Sequence, residues 1–74
     1  MNTLNKFKSG DTVLVEKIIC KDNVCQRLGE LGLYIGAEIH VIKNDNFSPI
    51  VLKILDSQIA LGLVEAQNIY GVKI

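Results

Sequence analysis

The chain has 74 residues, of which 49% are hydrophobic, 5% aromatic and 22% charged, and its eight basic and eight acidic residues leave no net charge. This length and composition predict one globular domain over residues 1–74, with a core made mostly of Ile, Val and Leu. The balanced charge disfavours nucleic-acid partners, and no apolar run reaches the length of a membrane span or a signal peptide, so we expect a cytoplasmic protein without direct membrane insertion.

The first half of the chain predicts one strand followed by one short helix. Residues 1–7 contain few apolar side chains, and we expect them to pack only loosely against the core. β-branched residues dominate from Thr12 to Ile19, with Val13 and Val15 on the same side, as in a half-buried strand. The polar residues that follow this strand can cap a helix of about two turns.

The end of this helix is the most strongly marked feature of the sequence. Val24, together with two leucines at helical spacing, is expected to form the buried face. Gly29 lies inside the helix, which suggests that a neighbouring element packs too closely there to leave room for a side chain. A glycine then stops the helix in a left-handed conformation, the next leucine folds back, and a second glycine reverses the chain. The residues assigned to this structural motif are Leu28, Leu31, Gly32, Leu33 and Gly36.

The second half of the chain predicts four more strands, over Glu38–Lys43, Ile50–Leu55, Gln58–Leu61 and Ile69–Ile74. The polar pair Asp56-Ser57 is expected to connect the third and fourth strands of the chain as a hairpin. Residues 64–67 can form one helical turn, and Gly71 is expected to loosen the last strand. About five short strands with one short helix predict a mostly β fold, a small SH3-like barrel.

The order of these residues resembles that of the FeoA family. The resemblance rests on Arg27-Leu28-x-x-Leu31-Gly32-Leu33-x-x-Gly36-x-x-Ile39-x-Val41, followed by Pro49, Ala60-Leu61 and Glu65-Ala66-x-x-Ile69. It implies an SH3-like barrel without catalytic activity that acts on FeoB, the ferrous iron permease with a cytosolic GTPase domain. Related domains occur at the C-terminus of iron-dependent repressors. The sequence departs from the family pattern at Asp56-Ser57, Gly62 and Gly71.

Residues with metal-binding or catalytic chemistry are few. No phosphate-binding loop is present, and one histidine and two cysteines offer no catalytic set. Cys20 and Cys25 have a wider spacing than common zinc motifs, and we expect them to be free thiols in small apolar positions. His40 should face solvent or a polar neighbour. A weaker hypothesis has these three residues bind Fe²⁺ or another divalent transition metal together.

Two aromatic residues are left over from the predicted core and suggest a contact surface. Tyr34 lies between the two glycines and Phe47 lies in a polar loop, so both are candidate partner-binding residues, although single exposed hydrophobic residues are common. Leu55 and Tyr70 are weaker candidates. The leading hypothesis is an accessory protein that binds the FeoB-type permease. The alternative is a free-standing, metal-responsive regulatory module like the repressor domains, and the oligomeric state stays open.

Overall fold

The computed structural model describes residues 1–74, which form one antiparallel sheet of six strands with three short helices. The strands are β1 (Asn2–Thr3), β2 (Thr12–Ile18), β3 (Glu38–Lys43), β4 (Ile50–Ile54), β5 (Ser57–Leu61) and β6 (Ile69–Lys73). The helices are a 3-10 turn over Leu4–Lys6, α1 (Asp22–Glu30) and α2 (Leu63–Ala66). The sheet order is β1-β6-β2-β3-β4-β5, so the mostly β prediction is confirmed. None of the helices is long and apolar enough to cross a membrane.

One hydrophobic core lies inside the bent sheet. Successive side chains of a strand point to opposite faces, and in β3 this places Ile39 and Val41 inside while His40 and Ile42 stay exposed. The 15 hydrophobic residues of the core are aliphatic with the single exception of Phe7: Leu4, Phe7, Val13, Val15, Leu28, Leu33, Ala37, Ile39, Val41, Ile50, Leu52, Ile54, Leu61, Ala66 and Ile69. The predicted alternation of β2 and β3 is therefore confirmed.

The N-terminal segment belongs to the core, and the prediction that it packs loosely is wrong. Leu4 is 1% exposed and Phe7 is 7% exposed. The two-residue β1 pairs with β6, and the 3-10 turn that follows it directs Leu4 inward. Two apolar residues at this spacing show no recognisable period, so the sequence pattern gave no sign of their burial.

The end of α1 has the conformation that its spacing predicts. Gly32 has φ +94°, its N–H donates to the Gly29 carbonyl at 3.0 Å, and the N–H of Leu33 donates to the Leu28 carbonyl at 2.8 Å. These two bonds define a Schellman motif, and they satisfy carbonyls that the last turn of the helix leaves free. Leu28 and Leu33 are buried together in the core.

The predicted buried face of α1 is too broad. Val24 is 38% exposed and Leu31 is 40% exposed, and Leu28 is the only buried residue of the helix. The expected close packing at Gly29 is also wrong, since no atom outside its chain neighbours and the backbone of its own helix lies within 4 Å of the position that a Cβ would take there. The helix therefore lies on the surface and is fixed mainly at its C-terminal end.

Two predictions for the C-terminal half are wrong: the position of the hairpin turn and the role of Gly71. The hairpin turn consists of Leu55 and Asp56, because Ile54 pairs with Ser57. Gly71 does not loosen β6 but allows its close approach to β2. A Cβ at Gly71 would lie 2.5 Å from Val13 Cγ1 and 2.6 Å from the carbonyl oxygen of Leu14, so only glycine fits this crossing.

Candidate functional site

The largest surface depression is an open groove of about 350 Å³ between the loop after α1 and the turn between β4 and β5. Its lining is mostly apolar and consists of Tyr34, Gly36, Ala37, Glu38, His40, Ile54 and Leu55. Side chains at the edge of the groove remain in contact with water: Tyr34 is 51% exposed and Leu55 is 78% exposed. Ile35, which is 67% exposed, lies next to Tyr34 in the chain. We call Tyr34, Ile35 and Leu55 the apolar rim.

The loop that carries Tyr34 and Ile35 is fixed by backbone hydrogen bonds. The N–H of Ala37 donates to the Tyr34 carbonyl at 3.0 Å. The N–H of Gly36 donates to the Val15 carbonyl at 2.8 Å, and Val15 in turn donates to the Ala37 carbonyl at 2.9 Å. Gly36 has φ +94°, a conformation in which glycine is not penalised. The loop therefore presents two apolar side chains from a rigid support.

The opposite side of the groove is held by the tight turn between β4 and β5. Leu55 has φ +55°, a left-handed conformation that is unfavourable for a residue with a Cβ. Asn, Asp or Gly is the usual choice at such a position. An exposed leucine here is disfavoured both by its backbone conformation and by its contact with water, which makes it a candidate for a functional role.

Glu38 and His40 contribute the polar part of the groove. They lie two residues apart in β3 and therefore point to the same face of the sheet. Nδ1 of His40 lies 2.9 Å from the hydroxyl oxygen of Thr12, so the imidazole has a polar neighbour, as predicted. One carboxylate and one imidazole can orient a polar group of a ligand or partner, but they do not form a nucleophile with its activating base.

Phe47 lies on a different surface from Tyr34. It is 92% exposed at the tip of the loop between β3 and β4, whereas the groove lies at the other end of these two strands. A strand of the length of β3 separates the two sites by roughly 17 Å at the usual rise per residue. The two aromatic residues proposed from the sequence are therefore not brought together.

The loop that carries Phe47 is internally braced. The carboxylate of Asp45 accepts the N–H groups of Phe47 and Ser48, each at 2.9 Å, and the Ser48 hydroxyl donates to it as well. The bonds from the two amides and the hydroxyl lower the pKa of Asp45 from 3.8 to about 2. The Asn44 side chain donates to the Phe7 carbonyl at 2.6 Å, which ties the loop to the N-terminal segment. Phe47 is thus presented to solvent by an ordered loop.

The two cysteines form a disulfide, so the prediction of free thiols is wrong. Cys20 follows β2, Cys25 lies in α1, and their Cα atoms are 5.4 Å apart. The start of α1 turns Cys25 back toward the end of β2, a closeness that the sequence spacing by itself did not indicate. Cys20 and Lys21 line a second groove of about 330 Å³, together with Ile19, Val24 and Asn68.

The structure does not bring Cys20, Cys25 and His40 together as a metal site. No group of three or more His, Cys, Asp or Glu side chains converges anywhere in the chain. His40 lines the first groove and Cys20 the second. A disulfide sulfur is also not the thiolate that binds transition metals.

The structure changes which residues are candidates for partner contact at two further positions. Ile35 was not singled out from the sequence, although its place between Tyr34 and Gly36 in a two-glycine turn leaves it no strand partner. Tyr70, a weaker candidate, is half-buried, and the Lys17 ammonium lies 5.8 Å from the centre of its ring. This cation–π contact occupies the ring within the molecule itself.

Comparisons with known proteins agree with the fold described above. The family model described as FeoA domain matches residues 2–73. The chain is 38% identical over 55 residues to "Putative Fe(2+) transport protein A" of Methanocaldococcus jannaschii, an alignment that covers 74% of this chain and 66% of that protein. The alignment thus spans just under two thirds of that relative's length.

Solved structures show the same architecture. A crystal structure of an iron uptake regulatory protein (FeoA) matches with a TM-score of 0.91 at 28% identity, over 97% of this chain and 96% of the other. A manganese-dependent transcriptional repressor matches with a TM-score of 0.87 at 24% identity, over 99% of this chain and 41% of the repressor, and this likeness shows the fold alone. The predicted small SH3-like barrel is confirmed.

Proposed function

The chain belongs to the FeoA family, and we propose that it is a non-enzymatic accessory protein of ferrous iron transport that binds the cytosolic side of a FeoB-type permease. In this role it modulates the assembly of the permease or its GTPase-coupled transport. The observation that carries the proposal is the apolar rim, where Tyr34 and Leu55 line a groove on fixed backbone and Ile35, next to Tyr34 in the chain, is also exposed.

Rigid exposed aromatic and aliphatic side chains are well suited to protein contact. Association costs free energy whenever a flexible side chain or loop must become ordered, and a braced loop avoids most of that cost. Tyr34 provides a large apolar ring with a hydroxyl, a combination that is enriched among the residues that dominate interface energies. Glu38 and His40 add polar contacts beside the apolar rim.

Phe47 offers a second, separate contact. Its loop is braced by the Asp45 carboxylate, and its side chain is almost fully exposed. Because the first groove and Phe47 lie at opposite ends of the β3–β4 hairpin, a partner that uses both must extend along this hairpin. Losses of binding free energy from changes at Tyr34 and Phe47 should then be additive, as expected for distant sites.

The test is the affinity of the purified permease for single variants of this protein. We expect Tyr34→Ala to weaken binding by about tenfold or more, and Phe47→Ala to weaken it too, since both remove candidate anchors. Val64→Ala is the matched control, because Val64 is 71% exposed on α2 and lines neither groove. Unchanged affinity of both aromatic variants, with the fold intact by circular dichroism, would contradict the proposal.

Metal titration distinguishes this function from a metal-responsive regulatory module. Glu38 and His40 provide only two donors, which supports a protein-binding role over stable metal binding. We expect the reduced protein to take up no Fe²⁺ at micromolar concentration under anaerobic conditions. Stoichiometric uptake of Fe²⁺ that is lost in His40→Ala would favour the regulatory module instead.

A further inference from the structure

The N-terminal part of α1 has few attachments to the rest of the molecule. All residues from 21 to 27 are exposed, and Leu28 is the single buried residue of the helix. The helix has no side-chain cap, and none of its side chains takes part in a hydrogen bond or ion pair with another element. The disulfide between Cys20 and Cys25 is the covalent connection, and Val24, which is 38% exposed, adds a partial packing contact at the second groove.

The two sulfur atoms belong to parts of the molecule that differ in their packing. Cys20 is half-buried against the core, and the N–H of its neighbour Ile19 donates to the Asn68 carbonyl at 2.8 Å. Cys25 is exposed on α1. The disulfide therefore fixes a surface helix to an anchored strand end.

We propose that Cys20 and Cys25 form a reversible redox site, at which exchange with a low-molecular-weight disulfide ties the N-terminal part of α1 to the end of β2 and reduction releases it. This site goes beyond the permease-binding function and does not involve the apolar rim. Its oxidation state also sets the shape of the second groove, which Cys20, Lys21 and Val24 line.

The small disulfide is the oxidant, and the exchange takes place in two steps. The thiolate of Cys25 attacks one sulfur of the small disulfide and expels a small thiolate, which leaves a mixed disulfide on Cys25. The thiolate of Cys20 then attacks the Cys25 sulfur and expels the second small thiolate. The protein loses two thiol protons and two electrons, the small disulfide becomes two small thiols, and the same steps in reverse reduce the protein.

Two features favour reversible exchange over a permanent structural bridge. The disulfide closes a loop with a sequence separation of only 5, and in the chain-entropy description the stabilisation from a disulfide grows with the length of the loop that it closes. Cys25 is exposed, so small thiols and disulfides can reach its sulfur. A reducing compartment would hold the pair as thiols, and a more oxidising one would close it.

The structural consequence of reduction follows from the length of α1. An isolated helix shorter than about 12 residues is marginal in water, and α1 has 9 residues with one buried side chain. Without the disulfide, the turn that contains Cys25 keeps only its backbone and the partly covered side chain of Val24 as attachments. The Schellman motif and Leu28 still hold the C-terminal end of the helix.

The experiment is hydrogen exchange of the full chain after equilibration with oxidised glutathione or with an excess of reduced glutathione. We expect oxidation to remove two hydrogen atoms in mass, and the amides of residues 25–27 to exchange about tenfold faster in the reduced protein, because local opening governs exchange. The amides of β3 serve as an internal reference and should not change. The Cys20→Ala/Cys25→Ser variant should exchange like the reduced protein in both buffers.

Several results would overturn the proposal. A stable glutathione adduct instead of an internal disulfide excludes the pairing, and a bridge that excess reduced glutathione does not open excludes reversibility. Equal exchange of residues 25–27 in both states excludes control of α1. If the double variant does not fold, Cys25→Ser alone gives the same comparison in reduced glutathione, since Cys25 lies on the surface.

Discussion

Three glycines near the end of α1 experience different surroundings, and these differences determine how each tolerates a side chain. Gly32 has φ +94°, and a Cβ there would lie 2.8 Å from Ile54 Cγ2. Gly36 has the same φ but faces open space. Gly29 has neither a positive φ nor a neighbour within 4 Å. The sequence marked all three positions as structural, whereas only the structure separates them.

Replacement of Gly32 by alanine should destabilise the protein. The left-handed conformation and the contact with Ile54 together are expected to lower the free energy of unfolding by about 2 kcal/mol. Gly29→Ala is the matched control, and it should raise the free energy of unfolding by about 0.5 to 1 kcal/mol because glycine is unfavourable inside a helix. Urea denaturation measures both. A loss of stability in Gly29→Ala would mean that another segment packs closely against α1 at this position.

Replacement of Leu55 should change the stability of the protein and its binding of the permease in opposite directions. Leu55→Asn relieves the left-handed strain and is expected to raise the free energy of unfolding by about 1 kcal/mol. The same change removes part of the apolar rim and should weaken permease binding. Leu55→Ala is the control, since it also removes the apolar side chain but keeps the strained backbone. Equal stability of the two variants in thermal denaturation would refute the role assigned to strain.

At the scale of elements, the loop between β3 and β4 is stabilised by a charged carboxylate. The Ser48 and Phe47 amides hold the pKa of Asp45 at about 2, below the 3.8 of an unperturbed aspartate. A carboxyl group with a lower pKa in the folded state contributes stability above the unfolded pKa and loses that contribution as the pH falls through the folded pKa. The order of the loop therefore depends on pH only in strong acid.

Asp45→Asn should remove this pH dependence. The difference in the free energy of unfolding between the wild type and the variant is expected to be constant above about pH 4 and to shrink between about pH 4 and pH 2. Asp11, whose pKa is also lowered by a hydrogen bond from the backbone of Lys8, titrates in both proteins and cancels from the difference. Urea titrations across this range measure the effect. Parallel curves down to pH 2 would show that Asp45 does not brace the loop.

The connections between elements were predicted less well than the elements themselves. The alternation in β2 and β3 follows from local sequence, because one face of each strand is buried. The hairpin turn is displaced by one residue to Leu55-Asp56, since the pairing of Ile54 with Ser57 fixes the register. The role of Gly71 could not be predicted from local sequence either, because it depends on the approach of Val13 and Leu14 from another strand.

At the scale of the whole molecule, a chain of this size has little stability to lose. A total of about 4 to 11 kcal/mol is usual for 74 residues. The N-terminal segment supplies two of the 15 core residues, Leu4 and Phe7, and β1 covers the edge of β6. These few residues are therefore part of the folding unit.

Leu4→Ala tests this contribution. We expect it to lower the free energy of unfolding by about 2 to 4 kcal/mol, because Leu4 is 1% exposed and its loss would leave a cavity. The exposed Val64→Ala should stay within about 0.5 kcal/mol of the wild type. Chemical denaturation gives both values. A small effect of Leu4→Ala would restore the view that the N-terminal segment packs loosely.

The sequence by itself determined five of the six strands, the helix end at Gly32 and the fold family, because these depend on periods and glycine positions within a few residues of each other. The tertiary structure alone decided which apolar residues are buried when no period marks them, as for Leu4 inside and Val24 outside. It also brought Tyr34 and Leu55 to one groove, separated Phe47 from them and joined Cys20 to Cys25. Each of these outcomes depends on contact with a different segment of the chain, which local spacing does not contain.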